Sequence, residues 1–151
     1  MGLLLFLGVI AAALVFHYHQ KSTDGGAASS RGDGAATLRQ TGKCFRAIVG
    51  ESHYQPALRR ITGGAAHPDL GLRRMADLVC ESGNRFDENA VQVKIGGEVV
   101  GYLARTEAKQ YRTRLAKAGL GVSTQTVAAA ICGGVNGPNY GVWIDLPDKI
   151  V

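Results

Sequence analysis

Val91, Val93 and Ile95 alternate with Gln92 and Lys94, Gly96-Gly97 follow, and the chain returns through Glu98 to Leu103. Side chains in a strand point to opposite faces at every step, so this alternation builds a strand with one apolar face. The paired glycines supply the two positive-φ positions of a tight turn, and the whole reads as a β-hairpin. An isolated hairpin is marginal in water and must find further strands or a helix to cover its apolar face. The chain has 21 Gly but only 4 Pro in 151 residues, which favours many short strands joined by turns over a helical bundle.

Candidates for those further elements flank the hairpin. Cys44 to Val49 predicts a first strand with Phe45, Ala47 and Val49 on one face, and Met75 to Glu81 predicts another. Pro56 suits a helix start, Leu58 and Ile61 share a face, and Gly63-Gly64 end that short helix. Asn84, Asp87 and Asn89 carry short polar side chains that bond nearby backbone and fix a turn ahead of the hairpin. From Ala104 to Ala118 the period becomes helical: Ala104, Ala108, Tyr111 and Leu115 form an apolar stripe, and Gly119 closes the helix. Arg105, Lys109 and Arg112 lie together on another face of it. Strands near Thr126–Cys132 and Val142–Leu146 follow, with a loop from Gly133 to Gly141. The expected fold is mainly β with inserted helices (α+β), a small, partly closed barrel of about six strands.

Ahead of this domain the composition changes twice. Gly2 to Phe16 carries no charged or strongly polar side chain, and His17, Tyr18 and His19 follow it. As a helix, residues 1–18 would span about 27 Å, close to the hydrocarbon thickness of a bilayer. Residues 1–19 are therefore expected to be one transmembrane or signal-anchor helix, held in the membrane through residues 2–18, with a core helix as the plainer alternative. A cleaved signal peptide is the rival, although it ordinarily has a basic first region. Lys21, Arg31 and Arg39 follow the apolar run and no basic side chain precedes it, so the positive-inside rule puts the domain in the cytoplasm. Residues 20–42, rich in Gly, Ala, Ser and Thr and without apolar periodicity, read as a flexible linker, and residues 43–151 as the folded domain.

From Lys43 onward there are 14 Lys and Arg against 10 Asp and Glu, a basic excess that suits a polyanion. The three cysteines, Cys44, Cys80 and Cys132, are widely spaced within strand-like apolar runs. They make neither a disulfide framework nor a zinc site and read as small buried hydrophobes in a reducing compartment. Enzymatic motifs fail on inspection. Gly42-Lys43 is followed by Cys44 where a phosphate-binding loop needs Ser or Thr, and Thr37 stands where that loop needs its first Gly. His53 and His67 lack the companions of a metal site, Ser52-His53 lacks a nucleophile elbow, and Asp87-Glu88 would face opposite ways on a strand. No catalytic constellation, cofactor site or metal site emerges.

Three blocks together carry a family resemblance: Val49-Gly50-Glu51-Ser52-His53-Tyr54-Gln55, Asn84-Arg85-Phe86-Asp87-Glu88-Asn89-Ala90-Val91, and Val100-Gly101-Tyr102-Leu103. With the closing Gly141 to Pro147 they resemble the HIRAN domain over Lys43 to Asp148. The resemblance implies a modified OB-like barrel that grips the 3′ end of single-stranded DNA, a role tied to DNA repair. His53 and Phe86 would stack bases, Tyr102 would line the pocket, and Asp87 would accept the terminal hydroxyl. The family's best-understood pattern has an Arg before the first aromatic, where this chain has Ser52. Phosphate contact would then fall to Arg85, Arg105 or Lys109. Each residue has a plainer reading: Phe86 and Tyr102 as core, Asp87 and Asn89 as turn formers, and the Arg105–Lys109–Arg112 face as solvated charge.

The leading expectation is a membrane-tethered module that binds single-stranded DNA without catalysis. The alternative is a protein- or peptide-binding module on the same barrel, and a hydrolase is a distant third.

Overall fold

A computed structural model of the chain describes residues 41, 42, 46–134 and 139–148, with the backbone alone at residues 69 and 70. The expected N-terminal helix, most of the linker, Lys43, Cys44 and Phe45 lie outside the described residues. Among the described residues no helix is long and apolar enough to cross a membrane.

Six antiparallel strands make one curled sheet, a half-barrel accompanied by two helices. In chain order these are β1 (Arg46–Ala47), a 3-10 turn (Glu51–His53), α1 (Gln55–Thr62), β2 (His67–Cys80), β3 (Val91–Ile95), β4 (Glu98–Tyr102), α2 (Arg105–Lys117), β5 (Gln125–Gly133) and β6 (Tyr140–Ile144). The sheet order is β1-β6-β5-β2-β3-β4. The two ends of that order meet at one residue pair. Val49, just past β1, exchanges hydrogen bonds of 2.8 and 2.9 Å with Tyr102 at the end of β4.

That meeting explains a glycine of the third motif block. A Cβ on Gly101 would stand 2.7 Å from both the Val49 carbonyl oxygen and Ile48 Cδ1, so the first strand can lie against β4 only where no side chain intervenes. Gly50, at φ 83°, then turns the chain into the 3-10 segment.

The hairpin β3–β4 forms where expected, with Gly96 and Gly97 at φ 60° and 83°. Its alternation places Val91, Val93, Ile95 and Val100 inside. The α2 stripe also behaves as expected: Ala108, Tyr111 and Leu115 are fully buried against the sheet. Leu58 on α1 joins them, and Gly63 caps that helix in the left-handed conformation.

Four expectations are corrected. Among the described residues the first strand ends at Ala47 and not at Val49, and the inward residue is Ile48, while Ala47 and Val49 are exposed. Its pairing with Trp143 and Ile144 of β6 sets which face points in, and local alternation could not reveal that. The second strand begins at His67, eight residues before Met75. Pro68 and Gly71 disguised the extension, and the irregularity they introduce falls between His67 and Leu72. The last strand begins at Tyr140 and ends at Ile144, so the expected Gly133–Gly141 loop is trimmed from both sides. Cys80 and Cys132 are half-buried thiols, not core residues, because each lies near the end of its strand.

Two polar side chains hold the half-barrel shut where strands cannot. The amide of Gln55 donates from Nε2 to the Tyr140 carbonyl and accepts at Oε1 from the Tyr140 N–H, both at 2.8 Å. It thus substitutes for a neighbouring strand at the start of β6. Asp145, 2% exposed, accepts from the Thr41 hydroxyl at 2.7 Å and from the Gly42 N–H, so the folded unit includes the last two residues assigned to the linker.

Candidate nucleic-acid interface

The segment between β2 and β3 is fastened by its own side chains before any ligand is considered. Asn84 Oδ1 accepts from the N–H groups of Phe86 (2.9 Å) and Asp87 (3.1 Å), and its Nδ2 donates to Glu81 (2.9 Å). Asp87 Oδ1 accepts from the Asn89 N–H at 2.9 Å. These are two successive Asx turns, the local geometry that short polar side chains favour. Arg112 of α2 reaches across and donates to the carbonyls of Glu81 (3.3 Å) and Ala90 (3.2 Å). The loop is thereby fixed to the helix at both ends.

Phe86 stands at the tip of this fixed loop with 75% of its surface exposed. It is not a core residue. The Arg85 guanidinium lies 4.7 Å from its ring centroid, a cation–π pair that orients the ring. Below it, Arg105 at the start of α2 reaches the Phe86 carbonyl (3.4 Å) and stands 3.7 Å from Asp87 Oδ2. Asp87 is half-buried, with one oxygen committed to the turn and the other beside an exposed guanidinium. A carboxylate oxygen has two acceptor positions, so Oδ2 can take a further donor.

Tyr102 connects this loop to the first motif block. The Val49–Tyr102 pairing brings the 3-10 turn beside the end of β4, and the rings of Tyr54 and Tyr102 meet at 6.3 Å between centroids, tilted by 48°. Burial pushes the Tyr102 hydroxyl up to about 12, the Tyr54 hydroxyl adds to this, Gln92 opposes it, and the Glu81 carboxylate raises it slightly. Tyr102 is therefore a neutral, half-buried donor that lies between the two motif blocks. Ser52 and His53 are exposed on the turn.

Of the eight residues singled out from sequence, Phe86, Arg85, Asp87 and Arg105 are tied together by contact, whereas Tyr102 meets Tyr54 and Gln92. Ser52 and His53 belong to the 3-10 turn that lies against β4, and Tyr54, which follows it, meets the Tyr102 ring. Lys109 is exposed one helical turn after Arg105. Arg112 is not a solvated member of that face, because its guanidinium is spent on loop carbonyls. Two contributors were passed over in the sequence, Tyr54 and Gln55, although both stand in the first motif block. An aromatic directly before a helix that begins Gln-Pro was the available signal.

Among the described residues no group of three His, Cys, Asp or Glu side chains is placed to hold a metal ion. No protein-family model, no curated protein and no solved structure matches the chain.

Proposed function

We propose that this chain is a HIRAN-type module whose half-barrel is OB-like and binds single-stranded nucleic acid, DNA with a free 3′ end above all, without catalysing a reaction. The observation that carries the reading is Phe86. A phenylalanine 75% exposed on a loop clamped by Asn84, Asp87 and Arg112 is a platform held ready for a flat partner. Disordering such a loop would release that apolar ring to fold inward, and the two Asx turns prevent it.

The surroundings support the same chemistry. Single-strand binders combine aromatic platforms with cations that follow the backbone, and here Arg85 lies over the ring, Arg105 reaches the Phe86 carbonyl and Lys109 is exposed one helical turn further along α2. A base would stack on Phe86 opposite Arg85, or displace that guanidinium towards a phosphate. Asp87 Oδ2 would accept the terminal hydroxyl while Oδ1 holds the turn. Tyr102, neutral across the physiological range, would donate to a base or a sugar. The apolar run of residues 2–16 would keep the module at a membrane, with the domain in the cytoplasm.

Fluorescence anisotropy of the full-length protein in a non-ionic detergent, with labelled single-stranded DNA bearing free or phosphate-blocked 3′ ends, tests the reading. Binding is expected to prefer free ends and to weaken steeply with salt. Phe86→Ala should cost a stacked base, roughly 1–3 kcal/mol or about 5- to 150-fold in affinity. Single-strand affinity unchanged in Phe86→Ala, or salt-independent, would overturn the assignment and leave the protein-binding alternative.

A further inference from the structure

α1 turns two arginines to the side away from the core. Ala57, Leu58 and Thr62 are buried, while Gln55, Arg59 and Gly63 form one row on the outer face and Pro56, Arg60 and Gly64 form the next. Among the described residues these six line a cleft of about 520 Å³. Gly63 and Gly64, at φ 66° and 73°, have open space where a Cβ would stand, so one end of the cleft is bare backbone. The two guanidinium groups differ in what holds them. Arg60 is fixed by Glu98 at the start of β4: its Nε donates to both carboxylate oxygens, at 3.2 and 3.4 Å, and its Nη2 bonds one of them as well. The hydrogen bond from Arg60 holds the Glu98 carboxyl below its usual range, so the pair stays charged. A guanidinium has five N–H donors, and both of those on Nη1 remain for another acceptor. Arg59 is exposed, and no carboxylate of the described residues pairs with it. Cations in the last turn suit a helix C-terminus, which accounts for the charge at both positions but not for a cleft that both share.

The cleft has a definite place relative to the Phe86 loop. Tyr54 caps the start of α1 and its ring meets Tyr102, the last residue of β4. Three residues later α2 begins at Arg105, which reaches the Phe86 carbonyl. Arg60, near the other end of α1, pairs with Glu98, the first residue of β4. α1 therefore runs back along β4, away from the end that adjoins Phe86. From Tyr54 to Arg59 it rises about 8 Å, at ~1.5 Å per residue.

We propose that this cleft is a second phosphate-contact site on the bound strand, where Arg59 and the Nη1 donors of Arg60 grip a phosphodiester to the 5′ side of the end held at Phe86 and Asp87. The inference rests on the single-strand reading of the Phe86 loop and adds to it the path and polarity of the strand. A guanidinium fork matches two phosphate oxygens, and Arg60 is already oriented by Glu98, so little side-chain freedom is lost when it binds. Arg59 supplies the uncompensated charge. The bare backbone of Gly63 and Gly64 lets the sugar-phosphate chain lie close.

The test is a length series. The full-length protein in non-ionic detergent is titrated into 5′-labelled oligothymidines of about two to twelve nucleotides with free 3′ ends, since an OB-type fold covers about 4–16 nucleotides. The parent should gain affinity with length as the strand reaches α1. Arg59→Ala should match the parent on the shortest oligonucleotide that the parent binds measurably and fall about 3- to 10-fold below it on the longest, with the salt slope there reduced by about 0.7. At 0.15 M salt the Debye length is about 8 Å, so a short strand held at the loop does not feel the lost charge. Its unchanged affinity also shows that the variant is folded. Arg59→Lys should recover most of the salt slope but only part of the affinity. A parent affinity that does not rise with length, or an Arg59→Ala variant that is equal to the parent at every length or weakened equally at every length, would overturn the cleft assignment and leave the Phe86 reading standing. A parent that binds no oligonucleotide of the series would overturn both.

Discussion

Replacing Asp87 separates the turn that its carboxylate holds from the end recognition proposed for the same group. In Asp87→Ala the Asn89 N–H loses its acceptor at 2.9 Å and the Arg105 contact at 3.7 Å disappears. A hydrogen bond to a charged group is worth about 1.5–3 kcal/mol when well shielded, and partial exposure here brings it to roughly 1–2. The Arg105 pair adds at most a few tenths of about 1 kcal/mol, since Arg105 is largely exposed. The melting temperature should fall by roughly 4–10 °C for a domain of this size. Asp87→Asn keeps a carbonyl oxygen in the same place, so the turn survives and the loss should stay below about 1 kcal/mol. Binding should respond differently. For a 3′ hydroxyl, the neutral amide is a weaker acceptor than the carboxylate by about 1–1.5 kcal/mol, which corresponds to about 5- to 10-fold lower affinity for free ends. Affinity for blocked ends should hardly change. Thermal unfolding followed by circular dichroism, paired with anisotropy on both kinds of end, reads the two effects separately. If Asp87→Asn binds free ends as tightly as the parent does, the carboxylate serves only the turn and the end-recognition argument fails.

Three other outcomes follow from the architecture. Gln55→Leu leaves the N–H and C=O of Tyr140 without partners and should cost roughly 2–4 kcal/mol in urea unfolding; a loss within about 0.5 kcal/mol would show that the amide does not act as a surrogate strand. Gly101→Ala forces a methyl group to 2.7 Å from the Val49 carbonyl and should cost about 1–3 kcal/mol, with faster hydrogen exchange at the Val49 and Tyr102 amides, whereas unchanged exchange there would contradict the closure described. The Tyr102 hydroxyl is raised from 10 to about 12, so the fold favours its neutral form; its contribution is fully present below pH 10 and is lost as pH rises through about 12. Alkaline unfolding should begin in that window and be less steep in Tyr102→Phe, and identical alkaline profiles would count against the burial of that hydroxyl.

Local chemistry alone determined the elements whose partners are close in sequence. The hairpin from Val91 to Tyr102 follows from period-two alternation around Gly96-Gly97, and α2 follows from the spacing of Ala108, Tyr111 and Leu115. The turn-forming role of Asn84 and Asp87 was equally legible, because an Asx turn closes within two or three residues. Tertiary structure decided the rest. Ile48, and not Ala47 or Val49, faces the core because β1 takes its register from β6, nearly a hundred residues on. The length of β2 depends on β5, which carries the strand past Gly71 where local propensity would end it. Whether Phe86 is buried or exposed could not be read from an aromatic in a polar block. It stands exposed on a loop that Arg112, a residue of another element, fastens through its bonds to Glu81 and Ala90. The physical reason is common to all three cases: side-chain alternation and turn chemistry are intrinsic to a short stretch of chain, whereas which face is inward, where a strand stops and what remains exposed are set by whichever distant segment arrives to cover it.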